Sequence, residues 1–488
     1  MFFIDPSNIL ITISLLPIIG SLFLLTIPDN RIDLIKQSGL LISCITFILS
    51  LVLWIDFDKS SFTFQFVKKL SWIDSSNFYC YIGLDGISLF FVLLTTFLTP
   101  ICILANWNHF PNRIKDYIIA FLVLETFMIN VFCVMDLVLF YVFFESVLIP
   151  MFLIIGVWGS RARKIYAAYQ LVVYTLFGSV FMLLAILVIY LQVGSTDYHV
   201  LLNAEFKGVK QIFLWLAFFI GFAIKMPMLP FHIWLPEAHV EAPTAGSVIL
   251  AGILLKLGSY GFIRFSLTMF PEASVYFAPM MYTLGLLAVV YTSMTTIRQI
   301  DLKKIIAYSS VAHMGFVTLG IFSFNSYGLE GSIFIMISHG IVSSALFLCI
   351  GVVYDKYKTR VYKYYSNIVQ LMPIYVTMLF VFILANLSLP GTASFIGEFL
   401  TLLGIVHINS VAAILLAIGA ILGAVYSIWL FNRVSFGNPN VTYLTNLEDL
   451  NLREFSYLTP LLILTILLGI YPELVLDYVH ASSTYILL

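Results

Sequence analysis

The chain has 488 residues, of which 61% are hydrophobic and 10% charged, with a formal net charge of −1. A soluble domain is about one quarter charged, so water is not the main solvent here, and no basic patch offers itself to nucleic acid. The five cysteines (Cys44, Cys80, Cys102, Cys133 and Cys349) are scattered and form no CxxC pair, which argues against disulfide frameworks, zinc sites and iron–sulfur clusters.

Apolar runs of 18 or more residues recur along the whole length, each long enough to cross a bilayer. They predict an all-α polytopic membrane protein with about fourteen transmembrane helices. In chain order the spans cover 8–27, 38–56, 84–105, 115–134, 136–157, 166–192, 211–230, 245–268, 276–297, 303–322, 328–353, 371–402, 409–432 and 455–479. The first run lacks a basic flank and a small-residue cleavage site and is too long for a signal sequence, so it reads as a retained span. Span 7 is interrupted by Pro227 and Pro230, and span 12 by NLSLPG at 386–391. The longest loops are 57–83, 193–210, 354–370 and 433–454, and no soluble domain fits in them.

Lys and Arg placement sets the orientation. Loops after odd-numbered spans hold 16 of these residues, Lys303 and Arg360 among them, and loops after even-numbered spans hold 5. Odd loops therefore face the negative side, and an even span count puts both termini on the positive side.

The chain also carries an internal repeat. MDLVLFY at Met135 and IDLKKII at Ile300 each open a span, at an offset of 165. Pro227 and Pro390 each break a span eight residues after a Phe-Ile pair, at an offset of 163. Tyr190 and Tyr354 each close one, at an offset of 164. Spans 4–8 are thus duplicated as spans 9–13. Each unit has five spans, so the second copy inserts upside down, and inverted repeats with one broken helix each are a transporter pattern. The expected organisation is an N-terminal three-span segment (1–110), a first five-helix repeat (111–270), an inverted second repeat (271–435) and a C-terminal span (436–488).

The strongest functional signal is charge at depth. Glu125, Glu145, Lys225, Lys256, His313, His339 and Glu398 lie inside seven different spans. A central ionised side chain costs about 2.5–3.5 kcal/mol on insertion scales. Taken singly, each has a structural reading. Glu145 and Lys225 suit an ion pair between helices, and a lone histidine suits a helix–helix hydrogen bond. Taken together, alternating acid, lysine and histidine suit proton hopping. A lysine in a dry site gives up its proton more readily, a neighbouring glutamate opposes that, and histidine titrates near neutrality. The stretch after Lys225, MPMLPFHIWLPEAHVEAP, adds His232 and His239, with Glu237 and Glu241 nearby. A metal site needs three or four converging ligands. HIWLPEAH is not HExxH, and Pro236 is expected to disrupt a helix there. The histidines instead suit a link from Lys225 to water at the negative-side mouth. Trp234 and Glu237 also fit a structural role in a re-entrant turn. No GxGxxG after a strand, P-loop or haem ligand pattern is found.

The stretch KMPMLPFHIWLPEAHVEAPTAGSVILAGILLKLGSYGF resembles the antiporter-like membrane-arm subunits of NADH–ubiquinone oxidoreductase (complex I), in particular the chain 4 family and its bacterial chain M counterpart. GLDGISLFF from Gly83, LFYVFFESVLIPMFLIIGVWG from Leu139, RQIDLKKIIAYSSVAHMGF from Arg298, SHGIVSSALFLCIGVVYD from Ser338 and LPGTASFIGEF from Leu389 carry the same likeness over nearly the whole chain. GVWGSRARKIYAAYQ looks most like mitochondrial versions from plants and protists. The resemblance implies a proton pump whose central pathway runs through Glu145, Lys225, Lys256 and Glu398, with His313, His232 and His239 as relay candidates. His339 and Glu125 join them as candidates from their depth alone. Glu398 is an acid where the longer relatives carry lysine, and the chain lacks their lateral helix. No cofactor is expected in this chain; NADH, FMN, iron–sulfur clusters and ubiquinone are expected in partner subunits. The implied partners are the other membrane-arm subunits, two of them antiporter-like, and membrane lipids. The implied location is the mitochondrial inner membrane, with both termini in the intermembrane space. A multi-subunit cation/proton antiporter, a plastid paralogue and a purely structural membrane subunit are the alternatives.

Overall fold

The structure, a computed structural model, describes residues 6–73, 78–107, 113–438 and 448–487. The expected domain boundary at 110/111 lies outside the described residues. Among them, twelve helices are long and apolar enough to cross a membrane. In chain order the molecule runs α1 (Pro6–Thr26), α2 (Ile32–Asp56), a hairpin of β1 (Gln65–Ile73) and β2 (Phe78–Leu84), α3 (Gly86–Ala105) and α4 (Ile114–Cys133). It continues through α5 (Leu137–Trp158), α6 (Lys164–Val193), α7 (Val209–Lys225), α8 (Trp234–Glu241) and α9 (Thr244–Met269). It ends with α10 (Ala278–Ile297), α11 (Leu302–Ile321), α12 (Ser326–Tyr357), α13 (Pro373–Asn386), α14 (Ala393–Val406), α15 (Ser410–Ser435), α16 (Leu452–Ile470) and α17 (Glu473–Leu487). The two places where the sequence predicts broken spans are the pairs α7/α8 and α13/α14, each too short alone to cross.

A bilayer offers no partner to a stray backbone N–H or C=O, so apolar runs settle as helices. The apolar windows of α9 and α12 are wholly buried, and these two helices form the centre. α12 packs on α3, α11, α13, α14, α16 and α17. The outer helices α1, α2, α6, α10, α15 and α16 turn Leu22, Ile48, Leu191, Leu287, Ile421 and Ile470 outward. In water such a surface would be a liability; against lipid tails it is the expected one.

The helical membrane fold is as expected, with one addition and two corrections. Loop 57–83 holds an antiparallel hairpin, with Lys69 opposite Tyr81 and Gln65 opposite Leu84. Aromatic and β-branched residues are dense there and suit a pleated surface. Span 14 is two helices, since Pro472 lacks an N–H and ends α16 before α17 begins. Pro236 does not disrupt the helix around it; it sits in the first turn of α8, where its missing N–H costs nothing.

Loop contacts sort into two sets that match the odd and even loops. In one set Lys69 pairs with Asp197 at 3.0 Å, Lys59 with Asp477 at 2.7 Å, and Gly86 N–H donates to Ser482 Oγ. In the other, Lys115 pairs with Asp29 at 3.2 Å, Lys304 with Glu237 at 2.8 Å, and Ser160 N–H donates to the Glu241 carbonyl. Matching geometry recurs at a near-constant offset. Asp136 caps α5 and Asp301 caps α11 by accepting backbone N–H bonds. Beside the first cap, Leu137 N–H donates to Thr196 O and Tyr198 N–H to Met135 O. Beside the second, Leu302 N–H donates to Arg360 O and Tyr362 N–H to Ile300 O.

That second contact draws 358–362 against α11. Lys303 and Arg360, counted from sequence as loop charges, are both buried. Lys303 Nζ donates to Ala242 O at 2.7 Å, and Arg360 Nη2 lies 3.9 Å from Glu241 Oε1.

Asp85 holds two elements at once. Its Oδ1 accepts from Ser88 N–H and caps α3, while Oδ2 pairs with Arg264 Nη2 at 2.5 Å, both side chains being buried. Removing one member of a buried pair strands the other, at about 3–5 kcal/mol. Arg264→Leu is therefore expected to lower the thermal unfolding midpoint of the purified chain in detergent. Adding Asp85→Asn should recover most of the loss, because the amide oxygen still caps α3.

Candidate functional site

Both broken helices close their freed backbone groups in the same way. α7 stops at Lys225. Met228 N–H then reaches back to Ala223 O at 2.9 Å, and the Trp234 indole Nε1–H donates to Ile224 O at 2.9 Å. α13 stops at Asn386. Leu389 N–H reaches back to Leu384 O at 3.1 Å, and the Ser394 hydroxyl donates to Ala385 O. The backbone atoms match at an offset of 161 and the side-chain donors at 160, not the 163 set by aligning the prolines. Lys225 and Asn386 hold corresponding places, each the last helical residue before its break. Gly391, at φ +94°, turns the second break in a conformation that only glycine adopts readily.

Four of the nominated residues form a line. Lys256 Nζ donates to Ala251 O at 2.5 Å and lies 2.8 Å from His339 Nδ1. The acceptor sits in a π-helical stretch, Leu250–Leu254, whose widened turn presents Ala251 O to the lysine. The His339 and His313 rings lie 5.6 Å apart, centre to centre. His313 Nδ1 is 3.0 Å from Glu398 Oε1, and its Nε2 is 3.2 Å from Asn386 Oδ1. Lys256, His339, His313 and Glu398 thus come from α9, α12, α11 and α14, and all are buried. Two cavities of about 10 Å³ flank His313, near the least volume that holds a water.

Glu145 and Lys225 form a second group, but not the ion pair that a structural reading expects. No contact within 4.0 Å joins them. Lys225 Nζ donates to the Phe144 carbonyl at 3.3 Å and lies 4.5 Å from the centre of the Phe144 ring. Both Glu145 oxygens are buried without a hydrogen-bond partner among the described residues. The two charges remain within electrostatic reach of each other. α9 reaches this group at Gly258, where an added Cβ would lie 2.7 Å from Phe222 O and 3.1 Å from Lys225 Cβ.

The other candidates stand apart. Glu125 is fully buried and accepts from Thr46 Oγ1 at 2.9 Å, away from both groups. His232 lies edge-on to Tyr308 at the rim of the break. His239 does not link Lys225 to the mouth. Its ring stacks on Phe347 at 4.7 Å, fully buried, and it faces Lys256, Lys303 and His339 electrostatically. Trp234 and Glu237 are structural, through the bonds to Ile224 O and to Lys304. Sequence reasoning missed Asn386 and Ser427, whose Oγ accepts from Asn386 Nδ2 at 3.1 Å. Comparing the two breaks by their last helical residue, rather than by their prolines, would have found Asn386.

The transmembrane family model of NADH:quinone oxidoreductases and Mrp antiporters matches residues 134–423. NADH-ubiquinone oxidoreductase chain 4 of Marchantia polymorpha is 60% identical over 96% of this chain and 94% of its own. The same-named protein of Chondrus crispus is 58% identical over 98% of both. The chain belongs to the NADH-ubiquinone oxidoreductase chain 4 family. Among solved structures, a chain of Thermus thermophilus respiratory complex I with bound NADH matches with a TM-score of 0.90 at 26% identity, over 98% of this chain and 99% of that one. The Mrp complex of Dietzia sp. DQ12-45-1b shares the fold, with a TM-score of 0.83 at 18% identity, over 98% of this chain and 52% of that one.

In this chain the first break is closed by one indole. Trp234→Phe leaves Ile224 O buried and unpaired, at about 1–3 kcal/mol. Amide hydrogen exchange across residues 223–235 is expected to quicken, and unchanged exchange would show that the indole does not hold the break.

Proposed function

We propose that this chain is a proton-translocating membrane-arm subunit of NADH–ubiquinone oxidoreductase in the mitochondrial inner membrane. The observation that carries this reading is the buried line Lys256–His339–His313–Glu398, with Glu145 and Lys225 beside it at the first break. Groups that exchange protons, within or near hydrogen-bond reach and sheltered from water, are what a proton path needs. Moving one charge against 100 mV costs about 2.3 kcal/mol, so the energy comes from electron transfer in partner subunits that hold NADH, FMN, iron–sulfur clusters and ubiquinone. Two further antiporter-like subunits lie alongside in this reading.

Protons are taken up on the odd-loop side, which is the negative side, and released on the other, where both termini lie. Glu145 and Lys225 act as the switch. When the glutamate is charged it holds the lysine's proton; when the glutamate is protonated or drawn away, the lysine releases it toward Lys256. His239 stands beside Lys256 and His339 as a side relay, His232 opens the first break, and Glu125 tunes α4 from outside the line. Residues 111–270 and 271–435 form the two inverted units, between an N-terminal segment up to residue 110 and the C-terminal segment from 436. Identity of 48–61% to chain 4 proteins favours this reading over a cation/proton antiporter subunit, to which the likeness is one of fold.

Glu145→Gln and Lys256→Met, in the assembled complex, are each expected to lower protons pumped per NADH oxidised at least ten-fold. The chain should remain in the complex on a native gel. Unimpaired pumping in both variants would sink the pathway. Loss of the chain from the complex, in place of loss of pumping, would favour a helix-holding role for these charges.

A further inference from the structure

His313 sits between two oxygen atoms: Glu398 Oε1, 3.0 Å from Nδ1, and Asn386 Oδ1, 3.2 Å from Nε2. At its other end the amide's Nδ2 donates to Ser427 Oγ at 3.1 Å. An amide oxygen accepts and has no proton to give. Nε2 therefore carries a hydrogen whatever the charge on the ring, and Nδ1 is the nitrogen left to exchange. Facing Nδ1 is a carboxyl oxygen. Two arrangements pair every atom. In one, a neutral ring accepts from a protonated Glu398. In the other, an imidazolium donates to the carboxylate. They differ only by one proton moved along the 3.0 Å line, breaking Oε1–H and forming Nδ1–H, and all other hydrogen bonds stay in place. Losing that proton sets two bare acceptors against each other in a buried site, which is costly.

We propose that Asn386 is a positioning residue that pins Nε2–H of His313, so that His313 and Glu398 hold one shared proton between them. The pinned ring and Glu398 then act in the line as one unit, which takes up a proton and hands it on at the Nδ1–carboxyl edge. The two broken helices then end in groups of different chemistry at corresponding places: an amine that titrates, Lys225, and an amide that does not, Asn386. This rests on the proton-translocating reading above. The other groups facing His313 are His339 on α12, with Lys256 behind it, Tyr426 on α15 and Ser293 on α10. α8 meets α11 at its far end, through Glu237 and Lys304.

The test is the pH profile of protons pumped per NADH oxidised, in proteoliposomes of the assembled complex. Asn386→Asp puts a charged acceptor at Nε2, and the alkaline limb, where the shared proton is lost, is expected to move up by about one pH unit. Asn386→Leu removes the acceptor; pumping should fall about ten-fold and the limb should move down. Asn386→Thr offers a hydroxyl that can donate as well as accept, so the pin is lost and the limb should move down, as in the leucine variant. Parent-like profiles in all three variants overturn the proposal. If the Leu variant does not assemble, the Asp and Thr variants decide, and an unmoved limb in Asn386→Asp overturns it. His313→Gln separates the two levels. Full pumping in that variant would sink the proton-path reading itself, while loss of pumping with unmoved Asn386 profiles would sink only the pinning.

Discussion

Inside a bilayer no backbone polar group can turn to water, so a helix can stop at mid-depth only where the protein closes the exposed valences itself. Two such stops organise this molecule. At each one a carbonyl left open by the break takes a side-chain hydrogen bond from the second half-helix, from Trp234 in one case and Ser394 in the other. The residue just before the stop is thereby held at a helix end inside the protein, where a polar side chain faces other helices rather than lipid. Lys225 and Asn386 occupy those two places. The close approach of α9 at Gly258 and the line from Lys256 to Glu398 are built around them.

The same constraint explains how the buried charges are distributed. Nearer the loops, charge is neutralised by direct pairing, as in Asp85 with Arg264. Arg360 lies fully buried with Glu241 at 3.9 Å, and Lys303 is satisfied by the Ala242 carbonyl. At the candidate site the partners are neutral or exchangeable groups: a carbonyl and a histidine for Lys256, a carboxyl and an amide for His313. A tight ion pair holds its protons in place. A line of lysine, histidine and carboxyl groups, hydrogen-bonded at both ends and joined by the ring contact of His339 with His313, leaves the proton a choice of positions at small cost. What sets the site apart is that its lysine, histidines and carboxyl succeed one another, whereas Lys303 ends on a carbonyl and Asp85 on Arg264.

Much of this was legible in the sequence, and what was not has a common cause. Apolar runs, prolines at the two breaks and ionisable residues at depth are properties of single segments, and the long helices and both breaks fall where those signals put them. The hairpin was missed because 57–83, broken by lysines and by DSSN at 74–77, gives no apolar run, and its strands show only when 65–73 and 78–84 are set side by side. The pairing of 298–302 with 358–362, which buries Lys303 and Arg360, joins segments that no local pattern connects. His239 was assigned to Lys225 by nearness in sequence, yet α8 turns its ring onto Phe347 of α12. At the breaks the backbone bonds recur at an offset of 161 and the prolines at 163, so matching prolines does not pick out the positions that the backbone makes equivalent.

The sequence by itself determined the solvent of this protein, the places where helices run and stop, and the residue types available at depth. Transfer energies and backbone valence act residue by residue, so one strand of text is enough to read them. Tertiary structure alone decided which of those residues meet. It separated Glu145 from direct contact with Lys225, set Lys256, His339, His313 and Glu398 in one line, and brought Asn386 to the far side of the His313 ring. Hydrogen bonds are made at about 3 Å between atoms dozens of residues apart, and only the packing of α9, α11, α12, α13 and α14 fixes distances on that scale.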